Sequence, residues 1–203
     1  MRDKYVITIT RQFGSMGRPI AKLLAERLGI HYYDRDIVDA TAKKMGLKVS
    51  TVSDLEERGS GFMGMRYPSG NGDLASQKEI FEVQKEIILN LAQRESCIIV
   101  GRCSDYILKD FPNALHVYVY ASKEQRYLNC LELLKMHPTE AKAMMRDVDK
   151  ARLSYHKTFA GYAPDDIRYK DLMVNSGTLG VHGTVDALES IIRTKFNLKN
   201  GRY

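Results

Sequence analysis

The chain has 203 residues, 44% of them hydrophobic, which supplies enough apolar surface for one sizeable buried core. Its three cysteines are odd in number and form no CxxC pair, so neither a disulfide framework nor a zinc site is indicated, and no apolar stretch approaches the roughly 20 residues that span a bilayer. The formal charge of +6 favours anionic partners, but the basic residues are dispersed and not interleaved with aromatic ones, so small phosphate ligands are preferred to nucleic acid.

Short runs of β-branched residues alternate with segments of helical periodicity along the chain. Five strands are predicted from these runs, at Tyr5–Thr10, Ile30–Tyr33, Cys97–Val100, Leu115–Tyr120 and Asp171–Val174. The predicted helices are 20–28, 37–45, 77–93, one that passes through 126 and 133, 138 to about 154, and 185–196. This alternation predicts an α/β fold of three layers, α/β/α, with a central parallel sheet.

Residues 51–76 interrupt the alternation. The stretch GSGFMGMRYPSGNGD within them is rich in glycine and turn residues and predicts a long flexible loop. No internal repeat and no linker is apparent elsewhere, so we expect a single domain over 1–203. In the absence of a signal-peptide pattern we expect a cytoplasmic protein, and the sequence leaves its oligomeric state open.

Polar residues follow three of the predicted strands directly. They are the segment Arg11–Arg18, the pair Asp34 and Asp36, and the segment Gly101–Cys103. Open parallel sheets bind ligands outside the carboxyl ends of their strands, so we expect these residues to meet at one edge of the sheet. Asp34 and Asp36 are equally consistent with caps of the following helix.

The glycine-bearing turn GSMGR, Gly14 to Arg18, lies between the first strand and the first helix. A turn of this kind directs backbone N–H groups and the positive end of the helix dipole at one point, which favours a phosphate. The common phosphate-loop motif would have glycine at Gln12, lysine at Arg18 and a hydroxyl residue at Pro19. The turn therefore predicts an arginine variant of a phosphate loop, or else a plain turn whose glycines serve geometry alone.

Four segments in order resemble the cytidylate kinase family, and more closely its cytidylate-kinase-like branch. They are ITITRQFGSMGRPIAKLLAERLGIHYYD, IIVGRCSDYILKDFPNALHVYVYASKEQR, RDVDKAR and DLMVNSGTLG. The resemblance implies a P-loop NTPase-like nucleoside monophosphate kinase fold, with an acceptor-side loop at 51–76 and a helical lid at about 138–165. It also implies ATP-dependent phosphoryl transfer, with Mg²⁺, to a small nucleotide such as CMP or dCMP.

The resemblance assigns a role to each matching position. It places the donor phosphates of ATP on Gly14, Ser15, Met16, Gly17, Arg18 and Arg126. It places the acceptor on Asp34, Arg102 and Cys103. Catalytic roles fall on Arg18, Arg146, Arg152 and Asp149, and Asp149 lies at helical spacing to orient the two lid arginines. Mg²⁺ falls on Ser15 or, through a water molecule, on Asp34.

Other interpretations of these residues stay open at the level of sequence. The i, i+3, i+6 spacing of Arg146, Asp149 and Arg152 is also typical of a solvated helix face with weak ion pairs. Cys103 stands where the family has an aspartate, so the acceptor is not fixed. The changes at the phosphate loop favour, as an alternative function, a non-catalytic nucleotide-binding regulatory module with a degenerate loop, whereas nucleic-acid binding rests on net charge alone.

Overall fold

The computed structural model describes residues 4–49, 51, 52 and 71–198. Five parallel strands form one sheet in the order β2-β3-β1-β4-β5. They are β1 Val6–Arg11, β2 His31–Tyr33, β3 Cys97–Val100, β4 Ala114–Tyr120 and β5 Leu172–Asn175. The central strand is buried on both faces, as expected for a parallel sheet covered by helices, and each Val or Ile removed from water there contributes roughly 1.5–3 kcal/mol.

Helices cover both faces of the sheet. They are α1 Gly17–Leu28, α2 Arg35–Met45, α3 Asn71–Arg94, α4 Ser104–Ile107, α5 Lys123–Glu132, α6 Pro138–Ala160 and α7 Ser176–Lys195. One face of the sheet packs against α1 and α7, and the other packs against α2, α3 and α4. The predicted three-layer α/β/α architecture with a central parallel sheet is confirmed.

Some element boundaries differ from the sequence prediction. Helix α3 begins at Asn71, so the last six residues of the predicted loop 51–76 are helical, while residues 53–70 lie outside the described part of the chain. Helix α6 continues to Ala160 and ends at Gly161, whose φ of 83° suits glycine. Helix α7 already begins at Ser176, nine residues before the predicted start, and Gly180 interrupts it with non-helical dihedrals.

The register of the sheet brings three chain segments to one edge. Strand β1 lies between β3 and β4, with Ile9 beside Val100 and Arg11 beside Val119. The segments that follow these three strands therefore leave the sheet side by side, as the sequence predicted. Within the described residues, no helix combines the length and apolar character needed to cross a membrane.

Candidate phosphate-binding site

The turn between β1 and α1 depends on two residues with positive φ. Gly14 has φ of 77° and Met16 has φ of 60°. A Cβ at Gly14 would lie 2.8 Å from the carbonyl oxygen of Arg126 and 3.1 Å from the Cys130 sulfur, so glycine is required for space as well as for φ. The Asn129 side chain donates to the Gly14 carbonyl at 2.9 Å and fixes the turn on α5.

Helix α1 presents its first backbone N–H groups at this turn. Its N-cap residue, Met16, makes no side-chain capping hydrogen bond, so the amides of the first turn remain oriented toward the edge of the sheet. Pro19 is the third residue of the helix, a position where its missing N–H is without consequence because the first turn has no intrahelical acceptor for it. The combination of open amides and helix dipole suits a phosphate.

Arg18 and Asp34 form an ion pair at the edge of the sheet. The Arg18 Nε contacts Asp34 Oδ2, and Tyr32 donates its hydroxyl to the same oxygen at 3.2 Å. Burial and the Asp34 charge raise the pKa of Tyr32 to about 12. Asp34 is the N-cap residue of α2 but makes no capping hydrogen bond, so its carboxylate serves the ion pair rather than the helix.

The segment after β3 bends sharply into the same edge. Gly101, Arg102 and Cys103 have consecutive positive φ values of 76°, 58° and 49°. Conformations of this kind are costly for residues other than glycine and cluster at functional sites. Arg102 borders the cavity described below, and Cys103, 3% exposed, contributes to its wall.

Helix α6 joins the phosphate turn through Asp149 and Arg152. Asp149 accepts the backbone N–H of Phe13 at 2.7 Å and binds the Arg126 guanidinium at 2.5 Å. Arg152 donates to the Arg11 carbonyl oxygen at 3.1 Å and lies 3.8 Å from Asp149. Burial, with Arg18 adding to its effect and Asp149 opposing it, lowers the pKa of Arg152.

Arg146 is the one predicted lid residue that the structure leaves outside the site. Its side chain is 71% exposed and binds its neighbour Asp147 at 2.7 Å. Six residues of α-helix turn through about 600°, which separates Arg146 from Arg152 by about 120° around the axis. Arg146 therefore lies on the solvated face of α6, while Asp149 contacts Phe13 and Arg152 contacts Arg11.

A cavity of about 570 Å³ opens between α2, the 101–103 segment and α6. As far as the described residues show, its wall contains five arginines and two aspartates. The arginines are Arg11, Arg18, Arg35, Arg102 and Arg152, and the aspartates are Asp39 and Asp147. Its volume is typical of a site for a small organic ligand.

A metal ligand set is only partly present. Within the described residues, no three His, Cys, Asp or Glu side chains cluster as a metal site. The Ser15 side chain is fully buried, and its hydroxyl donates to the Gln12 carbonyl at 2.9 Å with the Val119 carbonyl 3.1 Å away, so it does not fit the predicted metal role. Asp34 Oδ1 is buried without a hydrogen-bond partner among the described residues, and such an acceptor fits a metal-bound water.

A buried ionic network adjoins the cavity at His156, and no sequence pattern predicts it. Asp105 binds His156 Nε2 at 3.0 Å and also contacts Lys170 Nζ, and all three side chains are nearly or fully inaccessible. His156 Nδ1 lies 2.9 Å from the Tyr162 carbonyl, which can only accept, so both ring nitrogens face acceptors. Although burial pushes the pKa of Asp105 upward, the hydrogen bond and charge of His156 and the charge of Lys170 hold it below its usual range.

Two further arginines of the cavity wall, Arg11 and Arg35, have no individual role in the sequence prediction of the site. Tyr155 borders the cavity and donates to Gln84 at 3.1 Å, which ties α6 to α3. A polar residue at the exact end of a predicted strand was the signal available for Arg11.

Solved structures share this fold. An uncharacterised protein from Eubacterium ventriosum ATCC 27560 is 25% identical, covers 94% of this chain and 99% of its own, and superposes with a TM-score of 0.70. A shikimate kinase from Bacteroides thetaiotaomicron is 13% identical over 96% and 99% of the two chains, with a TM-score of 0.55. A gluconokinase from Sinorhizobium meliloti 1021 is 12% identical over 98% and 100%, also with a TM-score of 0.55.

These likenesses confirm a P-loop kinase-type α/β fold.

None of the curated proteins matches this chain. The family model described as the cytidylate kinase-like family matches residues 6–178, which include the phosphate turn, the 101–103 segment, Asp149 and Arg152. The chain therefore belongs to the cytidylate kinase-like family.

Proposed function

We propose that the chain transfers a phosphoryl group from ATP to a small acceptor in the cavity, with CMP and dCMP as the first candidates. The observation that carries this proposal is the excess of arginine over carboxylate around the cavity. Five arginines border it with two aspartates, and Arg146 already binds one of these, Asp147. Asp34 and Asp149, just behind the wall, pair with Arg18 and Arg152, so the arginines still outnumber the carboxylates. Such an arrangement is stabilised by a ligand that carries several negative charges.

The donor side of the proposed site is the N-terminus of α1. The backbone of Gly14, Ser15, Met16 and Gly17 with the Arg18 side chain would hold the ATP phosphates, as family membership supports. Arg126 is held by Asp149 and by the Phe13 carbonyl at 3.1 Å. Its role is therefore to support the turn beneath the phosphates.

Phosphoryl transfer needs positioning and charge neutralisation more than covalent chemistry from the protein. Arg152 suits this task because it reaches from α6 to the end of β1 and borders the cavity. Asp149 orients Arg152 and the phosphate turn together. Arg18 would neutralise the transferred group after leaving its partner Asp34.

Mg²⁺ fits this site through Asp34 and not through Ser15. Asp34 Oδ1, which lacks a hydrogen-bond partner among the described residues, would accept from a metal-bound water. When bound with ATP, the ion neutralises charge on the donor phosphates.

The acceptor side of the proposed site lies at the opposite wall of the cavity. Arg102 and Cys103 from the turn after β3 and Arg35 and Val38 from α2 border it. Tyr155 closes the wall from α6 and offers an aromatic surface to a ring. The wall therefore combines cationic and apolar groups, as a nucleotide requires.

A second candidate function is a nucleotide-binding regulatory module without turnover. Two observations favour it: Arg18 is engaged by Asp34, and the Ser15 hydroxyl is turned into the protein. Arg18 stands where the common phosphate loop has its lysine, and with proline at position 19 Ser15 is the loop's own hydroxyl residue.

A coupled assay with ATP, Mg²⁺ and a panel of nucleoside monophosphates and small metabolites separates the two candidates. We expect ADP production that depends on one acceptor, and calorimetric titration of ATP in parallel measures binding. Binding of ATP without turnover across the panel would support the regulatory module and reject the kinase. Absence of ATP binding would reject both.

A further inference from the structure

Arg11, the last residue of β1, occupies a slot made by two glycines. A Cβ at Gly17 would lie 2.7 Å from the Arg11 Cβ, and a Cβ at Gly101 would lie 2.3 Å from Arg11 Nη1. No other residue at either position leaves the Arg11 side chain where it is. The two glycines thus give its side chain room to reach the wall of the cavity, where it is 13% exposed.

The carboxylate that faces Arg11 is distant and is also bound by other groups. Among the described residues its nearest carboxylate oxygen, Asp34 Oδ1, lies 3.8 Å away, and the other oxygen of Asp34 is bound by Arg18 and Tyr32. A second cation, Arg152, donates a hydrogen bond to the Arg11 carbonyl oxygen. Burial, together with repulsion from Arg152, lowers the pKa of Arg11 well below its ordinary value. A buried cation without a close partner is destabilising unless a ligand supplies the anion.

The direction in which the Arg11 side chain points decides whether an anion bound to it lies on the donor or the acceptor side of the site. Arg11 contacts Gly101, on the β3 side of β1, and both border the cavity. The glycine turn packs on the other side, where Gly14 meets Arg126 and Cys130 of α5. The stem of Arg11 packs on Gly17 at the start of α1, whereas its guanidinium end reaches Gly101. An anion bound by that end therefore lies beside the 101–103 segment, which the proposed function assigns to the acceptor.

We propose that Arg11, with Arg152, forms an anion site for a phosphate monoester group of the acceptor, so that Arg11 restricts the acceptor to molecules that are already phosphorylated. The assignment of this phosphate to the acceptor rests on the proposed function, whereas the anion site itself does not. A guanidinium donates two parallel hydrogen bonds to a phosphate, and a dianion balances two arginines where a carboxylate balances one.

A structural role and a ligand-binding role for Arg11 predict opposite effects of its removal on the stability of the free protein. If Arg11 served to hold the edge of the sheet together, removing its charge would destabilise the protein whether or not phosphate is present. If it serves a ligand, removal of the charge relieves a burial penalty in the free protein and abolishes the gain from phosphate.

The test compares Arg11→Met, Arg11→Lys and the control Arg94→Met, whose arginine is 71% exposed and precedes β3 at the opposite edge of the sheet. The transition temperature of each full-length protein is measured with and without inorganic phosphate at constant ionic strength, and phosphate binding is measured by calorimetry. We expect wild type and Arg94→Met to be stabilised equally by phosphate. Arg11→Met should unfold at or above the wild-type temperature without phosphate and bind phosphate about tenfold more weakly or worse, with Arg11→Lys between.

Three results would overturn the site: no response of wild type to phosphate, an unchanged response in Arg11→Met, or a lower transition temperature of Arg11→Met in phosphate-free buffer. If Arg11→Met does not fold, Arg11→Lys decides, because it keeps the charge and loses the bidentate geometry; wild-type affinity in that variant counts against the site. If the wild-type protein shows no kinase turnover, the proposed function is rejected, but the phosphate-binding result is unaffected.

Discussion

Asp149 in α6 accepts the backbone N–H of Phe13 at 2.7 Å, 136 positions earlier in the chain. The same carboxylate holds Arg126, which in turn donates to the Phe13 carbonyl at 3.1 Å. One carboxylate on α6 thus fixes both polar groups of the residue before Gly14. The shape of the phosphate turn depends on α6 as well as on its own glycines.

Replacing Asp149 tests this relationship. Asp149→Ala removes an acceptor from the Phe13 amide and leaves Arg126, 12% exposed, without its carboxylate, so we expect a loss of about 2–3 kcal/mol in the free energy of unfolding. Urea denaturation measures it. Asp186→Ala is the control, because its carboxylate is 63% exposed and its pair with Arg27 should contribute about 1 kcal/mol or less. Equal effects of the two substitutions would contradict the assignment.

Gly14 and Gly29 form a matched pair for the phosphate turn. Both have positive φ, 77° and 64°, but a Cβ at Gly29 meets nothing within 4 Å, whereas one at Gly14 meets the backbone of Arg126. Gly29→Ala should lower the free energy of unfolding by about 1 kcal/mol, the conformational cost alone. Gly14→Ala should cost at least about 1 kcal/mol more because of the added clash, and should weaken ATP binding. A Gly14→Ala protein as stable as Gly29→Ala would show that the turn adapts without strain.

Arg152 and Arg146 separate the proposed catalytic face of α6 from its solvated face. Arg152→Ala should lower kcat about 10²-fold or more, because it removes a donor beside the transferring phosphate, with a smaller effect on the transition temperature. Arg146→Ala should leave kcat within about twofold, since its side chain is 71% exposed and binds Asp147. Steady-state kinetics and thermal unfolding of both variants give the comparison. An equal loss of kcat in the Arg152 and Arg146 variants would indicate that Arg146 also acts in the site.

The Asp105 network should be a large contributor to stability. Asp105→Asn leaves Lys170 and His156 buried without their carboxylate, which is expected to cost about 3–5 kcal/mol in the free energy of unfolding at pH 7. The pKa of Asp105 is lowered on folding, so this contribution is present above the unfolded pKa of about 3.9 and is lost as the pH falls through the folded value.

Unfolding curves of wild type and Asp105→Asn at a series of pH values check this expectation. The difference in free energy should shrink as the pH falls below about 4. A difference that grows toward acid pH would mean that Asp105 is already protonated in the folded protein.

Much of the fold was predictable because its signals are local. The β-branched run Tyr5–Thr10 and the run Cys97–Val100 identify buried strands, and Gly29 and Pro138 mark the end and start of helices. Residues 71–76 were misread as loop because glycine and asparagine at a helix start resemble turn residues.

The candidate site was predictable only in part. Residues at strand ends, such as Asp34 and Arg102, were found because parallel strands end at one edge. The separation of Arg146 from Arg152 was missed, although helical geometry alone predicts it.

The sequence by itself determined the order of the elements, the place of the phosphate turn and the positive character of the carboxyl edge, since each follows from neighbours in the chain. Tertiary structure decided which charges meet: Asp34 with Arg18, Asp149 with Phe13 and Arg126, and Arg11 in its slot beside Gly101. These partners come from separate elements, and electrostatic energy and steric fit depend on distances of a few ångströms that only the packed fold defines.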